Sequence, residues 1–215
     1  AIIIRCVVAL PIMLVLVRMQ GSLRDLWSPR LRWLILRGLI LVVSYTTYYL
    51  AFPAMPLAQV IALWFTTPLF VVALAGPLLG EAVGARRWFA TIIGFAGVLV
   101  MVRPFTASFD LAALLPVAAA LAYGTAQLMA RRMGVTESAA VMSFYQNLVF
   151  FFAAGIAAVI LGDGRFAGSG DASLDFLFRG WTMPTLWDFL LLAACGPIAS
   201  AGMVLLTQAY RMAEA

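Results

Sequence analysis

Apolar residues run almost unbroken through seven stretches of the chain, 1–17, 33–52, 57–79, 88–102, 111–130, 138–161 and 186–210, each ended by Pro, Gly or a group of Arg. A hydrocarbon core about 30 Å thick takes about 20 helical residues to cross, so these stretches predict membrane-spanning helices. Lipid offers backbone groups no partner, and runs this long and this rich in Leu, Ala, Val and Phe suit helices rather than alternating barrel strands. The expected fold class is all-α, a polytopic membrane helical bundle with seven transmembrane helices.

The few polar residues inside these runs are the places for chemistry. In 33–52, Tyr45, Tyr48, Tyr49 and Phe52 recur at separations of three and four and so share one stripe. Such a stripe can stack a flat or apolar substrate, and Tyr45 and Tyr49 are site candidates; Tyr48 and Tyr49, near the outer end, equally suit an interfacial belt. After the Pro53–Pro56 turn, Gln59 lies near the rim, and Trp64, Thr66 and Thr67 come at mid-membrane just before Pro68. Proline removes a backbone donor and can kink the helix, which is one way a transporter exposes carbonyls to a solute. Alternatively the Thr hydroxyls bond back to preceding carbonyls. Trp64 and Thr67 are taken as substrate-binding candidates.

In 111–130, Tyr123 and Gln127 are four apart on one face, with Ala120 and Gly124 small enough for a neighbour to approach. In 186–210, Gly196 and Pro197 predict a kink beside Ser200. Arg5, a charge inside an apolar run, either snorkels or faces a cavity entrance. Arg5, Tyr123, Gln127 and Ser200 complete the candidate substrate site. Tyr145, Gln146 and Asn147 are read as groups that hold helices together. Gly94, Gly97 and Ala90 give 88–102 a small-residue packing face.

Composition narrows the chemistry. The chain is 65% hydrophobic and 11% charged, far from ordinary soluble usage. All 14 basic residues are Arg, with no Lys and no His. That leaves no phosphate-cradling Lys loop, no Schiff base and no histidine base or zinc ligand. No cofactor and no metal are implied. Cys6 and Cys195 sit inside apolar runs and read as small buried hydrophobes. The net charge of +5 is distributed as a topology signal. Counting loops alternately, Arg18, Arg24, Arg30, Arg32, Arg37, Arg86, Arg87, Arg131, Arg132 and Arg211 fall on one side, while Arg5, Arg103, Arg165 and Arg179 fall on the other. The Arg-rich side is expected to be cytoplasmic, and a nucleic-acid partner is not implied. No Asp or Glu falls at mid-membrane, so the sequence offers no carboxylate proton relay.

Leu50-Ala51-Phe52 before one turn is similar to Gln208-Ala209-Tyr210 before another, five helices later. An odd number of crossings between copies inverts them, so the expected organisation is two inverted five-helix repeats, 1–104 and 105–215. The run "FTTPLFVVALAGPLLGEAVGARRWFATIIGFAGVLVMVRP", Phe65–Pro104, resembles the drug/metabolite transporter superfamily, in particular its ten-helix EamA-type members. The preceding "LRGLILVVSYTTYYLAFPAMPLAQVIAL", Ala118–Arg132 and "TQAYRMAEA" fit the same pattern. The resemblance implies one helix before Ala1 and two after Ala215, so both repeats are incomplete here. It implies a central cavity lined by the stretches 33–52, 57–79, 111–130 and 186–210.

The function expected from it is secondary transport by alternating access of small polar or amphipathic metabolites, such as amino-acid, S-adenosylmethionine or riboflavin-like solutes. The setting is a bacterial inner membrane, with a small-molecule substrate, a surrounding lipid bilayer, proton-linked or facilitated movement, and a homodimer left open. A membrane-embedded transferase enzyme would need a cluster of His, Asp or Glu at one membrane face. A non-transporting scaffold would need a sizeable soluble module, and the 162–185 loop holds only "LDFLFRGW" as a short interfacial helix.

Overall fold

The computed structural model describes residues 2–102, 111–164, 168, 170 and 172–212. Arg103, Arg165, the 104/105 repeat boundary and the last three residues lie outside them. The described chain is helical throughout, without a strand: α1 (Ile2–Gln20), α2 (Leu31–Leu50), α3 (Leu57–Trp64), α4 (Thr67–Leu79), α5 (Ala85–Val102), α6 (Leu114–Met133), α7 (Ala139–Leu161), α8 (Ala172–Phe178) and α9 (Leu186–Met212). Six stretches among the described residues are long and apolar enough to cross a membrane, Ile2–Gln20, Leu31–Leu50, Leu57–Leu79, Leu111–Met133, Ala139–Leu161 and Leu186–Ala209. The all-α membrane bundle is the architecture found. The expected seventh span corresponds to α5, which runs to Val102 at the limit of the described residues.

The 57–79 stretch is two helices rather than one, and its chemistry says why. Pro68 has no N–H to give the Trp64 carbonyl, its partner four residues back. The Thr67 hydroxyl takes that place, donating to the Trp64 carbonyl at 2.7 Å, while the Thr66 hydroxyl donates to the Leu63 carbonyl at 2.7 Å. The Thr66 N–H also turns to Leu63, at 3.1 Å, tightening the chain at Phe65–Thr66 between α3 and α4. The interruption therefore falls ahead of the proline. By contrast α9 continues as a helix through Pro197.

The chain forms two compact units. The described part of the first comprises residues 2–42, 129–164 and 178–212, built on the mutual packing of α1, α7 and α9. Along α1, Cys6, Ala9, Met13 and Val17 are buried at separations of three and four, the inward stripe of a helix. Val17 joins Leu34, Ala130, Met133, Ala140, Val141, Met142 and Tyr145 in one apolar cluster. Where α9 crosses α1 only a glycine fits: a Cβ on Gly196 would stand 2.8 Å from Val8 Cγ1 and 3.3 Å from the Arg5 carbonyl oxygen.

Polar groups clamp this unit as expected. Asn147 donates to the Ser143 carbonyl at 3.0 Å and to Met203 Sδ at 3.3 Å, and accepts from buried Cys6. The Tyr145 hydroxyl donates to the Leu26 carbonyl. Arg37 departs from its expected place at a loop edge. It is 1% exposed and its Nη1 donates to Gln146 Oε1 at 3.3 Å. Lying two turns into α2, it sits on the face turned to α7, where the neighbouring Gly38 meets Val149.

The described part of the second unit comprises residues 43–102, 111–128, 168, 170 and 172–177. Ser44 donates to the Ala119 carbonyl at 2.8 Å, tying α2 to α6, and Ser173 on α8 donates to the Leu50 carbonyl at 2.6 Å. Gly80, at φ 73°, ends α4 in the left-handed region open to glycine. α4 packs on α5 at Gly94, where an added Cβ would be 2.7 Å from Leu69 Cδ2. Gly97 has no neighbour within 4 Å of such a Cβ, so the expected small-residue contact is made by Gly94 and not by Gly97.

Candidate functional site

The tyrosine stripe of α2 becomes a group of six rings within the second unit. Tyr45, Tyr48 and Tyr49 lie on α2 and Phe52 in the turn just beyond its end, and their rings touch in sequence: Tyr45 to Tyr49 at 6.3 Å between centroids, Tyr48 to Tyr49 at 5.9 Å, and Tyr48 to Phe52 at 5.0 Å. Trp64, at the last turn of α3, packs between Tyr48 at 4.5 Å and Tyr123 of α6 at 5.0 Å. Tyr123 also meets Tyr45 at 6.3 Å, edge to face. Trp64, Tyr123 and Tyr45 are half-buried, and Tyr49 is 39% exposed. The rings are tilted 44–75° to one another, which suits the edge-to-face preference of aromatic quadrupoles and leaves their outer faces as an apolar, π-rich surface.

One helical turn beyond Tyr123, Gln127 is 3% exposed and its Oε1 has no hydrogen-bond partner. A buried amide oxygen without a donor is costly, and a ligand N–H or O–H would remove that cost. Thr67 joins this neighbourhood through Gly124, whose added Cβ would stand 3.6 Å from the Thr67 carbonyl oxygen. Its hydroxyl proton is committed to Trp64, and the residue is 6% exposed. Phe65 and Thr66, at the helix break, border a groove of about 250 Å³ together with Gly94 and Gly97.

Of the eight residues expected to form one site, Tyr45, Tyr49, Trp64, Thr67, Tyr123 and Gln127 belong to this unit. Arg5 and Ser200 belong to the other unit. The Arg5 guanidinium lies 5.7 Å from the Phe150 ring centroid, with Nε unpartnered, and Ser200 is 1% exposed with an unpartnered Oγ. Tyr48, the ring nearest Trp64, is not among the candidates named from the sequence, although Tyr49, with the same belt alternative, is; its spacing of three from Tyr45 was the available signal. Among the described residues no three His, Cys, Asp or Glu side chains gather to hold a metal.

The EamA-like transporter family matches residues 1–103. Over those residues the chain is similar to the EamA family. Relatives extend the kinship across most of the remaining chain. A riboflavin transporter of Vibrio cholerae is 29% identical over 97% of this chain and 64% of its own length. An S-adenosylmethionine uptake transporter of Rickettsia bellii is 29% identical over 84% of this chain and 56% of its own. A pseudopaline exporter of Pseudomonas aeruginosa is 24% identical over 82% and 56% respectively. The chain thus spans less than two thirds of the length of these relatives. No solved structure matches it. The resemblance read from Phe65–Pro104 holds, and EamA proteins and these relatives are transporters rather than enzymes.

Proposed function

We propose that the protein is a secondary transporter of small polar or amphipathic metabolites that works by alternating access. Residues 1–104 and 105–215 are, in this reading, two inverted repeats that rock about a midplane cavity in an inner membrane, with the Arg-rich loops in the cytoplasm. The observation that carries the reading is the surface of tilted rings around Trp64 with the unsatisfied Gln127 carbonyl one turn from Tyr123. Rings accept a flat or apolar part of a solute at little entropic cost, and the amide oxygen fixes one of its donors. Riboflavin-like and S-adenosylmethionine-like solutes each combine a heteroaromatic part with several donors, which is consistent with the names of the relatives. Arg5 and Ser200 are assigned to the solute path, and coupling to protons rests on the family alone.

The test is a flux and ligand-stabilisation screen of the full-length protein over amino acids, nucleosides, vitamins and S-adenosylmethionine. Saturable movement of one class, abolished by Trp64→Ala, supports the reading. Absence of flux for every class from a correctly inserted protein overturns it.

A further inference from the structure

The geometry points to a binding site for the phosphate headgroup of an anionic phospholipid, formed by the turn between α1 and α2 and the last turn of α6. The apolar cluster of the first unit brings the parts together. Val17, Leu31, Leu34, Ala130 and Met133 all pack into it. Their chain neighbours Arg18, Arg30, Arg32 and Arg132 therefore emerge at one end of this unit, and Arg24 lies in the 3-10 turn Leu23–Leu26 between them.

That turn is rigid and two-sided. Its Ser22 side chain accepts from the Arg24 N–H at 3.2 Å while Asp25 accepts from the Ser22 N–H at 2.9 Å, closing a capping box. Its inner side is anchored: Leu26 packs on the apolar cluster and its carbonyl accepts the Tyr145 hydroxyl, and the Ser28 hydroxyl donates to Glu137. Its outer side interleaves arginine with large apolar residues, Met19 at 76%, Trp27 at 87% and Trp33 at 48% exposure. Both nearby carboxylates are engaged in these anchors. Among the described residues, the exposed Arg18, Arg24, Arg30, Arg32 and Arg132 make no side-chain ion pair.

A sidedness signal requires only that arginines lie in a loop; it gives no reason for a braced turn that holds an indole in the open. An indole 87% exposed is stable where one end can meet acyl chains and the other water, which is the headgroup layer. Guanidinium groups bind phosphate as bidentate forks, and each arginine held near an anionic surface is worth about fivefold in affinity. Exposed arginines alternating with exposed Trp and Met along this stretch fit a lipid surface better than a nucleic acid, which would leave the apolar residues uncovered.

The site is tested with the purified full-length protein by native mass spectrometry of retained lipid, in micelles containing phosphatidylglycerol or phosphatidylcholine, with inorganic phosphate as a separate arm. Wild type should retain phosphatidylglycerol in preference to phosphatidylcholine. R24Q/R30Q/R32Q should lose that preference at least tenfold, R24K/R30K/R32K should lose less of it than the glutamine variant, and Trp27→Ala should weaken it. R179Q, which removes a charge elsewhere, should leave it intact. Equal melting of wild type and the glutamine variant in phosphatidylcholine shows that folding is unchanged; if that variant unfolds, the lysine and Trp27 variants carry the comparison. Equal retention of both lipids by wild type, an R179Q loss as large as that of the triple variant, or displacement of the lipid by inorganic phosphate at comparable concentration overturns the site.

Discussion

The Thr67 hydroxyl donates to the Trp64 carbonyl at 2.7 Å, the carbonyl that Pro68 leaves without a backbone donor. A side chain thus closes the gap that an imino acid opens in the helix ladder. Thr67→Val keeps the shape and removes the donor, and should lower stability in detergent by about 1 kcal/mol. In a Pro68→Ala background the restored N–H should serve the carbonyl, and Thr67→Val should then cost less than half as much. Equal losses in the two backgrounds, measured by unfolding midpoints, would show that the hydroxyl does not stand in for the missing amide.

Trp64 is the ring shared by the α2 stripe and Tyr123, so Trp64→Ala removes contacts on both sides. Flux of the transported solute should fall at least tenfold while membrane insertion is retained. Gln127→Ala should lower apparent affinity by about fivefold, the worth of one hydrogen bond of about 1 kcal/mol. Wild-type flux in both variants would remove these residues from the solute path.

Two glycines of α9 should answer oppositely to the same change. Gly196→Ala drives a Cβ to 2.8 Å from the stiff, β-branched Val8 and toward the Arg5 carbonyl, and should cost about 1–3 kcal/mol. Gly202 has nothing within 4 Å of an added Cβ, so Gly202→Ala should be neutral or stabilising. Thermal unfolding of the two variants against wild type decides.

The arginine distribution predicts that Arg24 faces the cytoplasm and Gly168 the exterior. Reporter fusions at the two loops read this directly, and the reverse sidedness would overturn the proposed orientation.

The helices were legible because length and unbroken apolarity in lipid admit few alternatives, and the tyrosine stripe because three-and-four spacing fixes a face. Arg37 was misplaced since a sequence window counts charge near a loop without showing which side of the helix it occupies; Gln146 on α7 supplies what its burial requires. The kink expected beside Trp64, Thr66 and Thr67 is found as the interruption at Phe65–Thr66, ahead of Pro68. A proline's missing donor is felt at the carbonyl four residues earlier, so the distortion appears upstream. For Tyr48 a half-apolar ring suits both an interface and a contact with Trp64, and only the fold decides between them.

The joint between α3 and α4 has a mechanical consequence. An uninterrupted transmembrane helix bends only by sacrificing backbone bonds that lipid cannot replace, at several kcal/mol each. Here the Trp64 oxygen is held by a side-chain hydroxyl, so a twist about the Thr67 side-chain torsion releases it without breaking a backbone hydrogen bond. The indole that anchors the ring group is thus mounted on the most easily swung point of its span, where a small push can be converted into lateral travel.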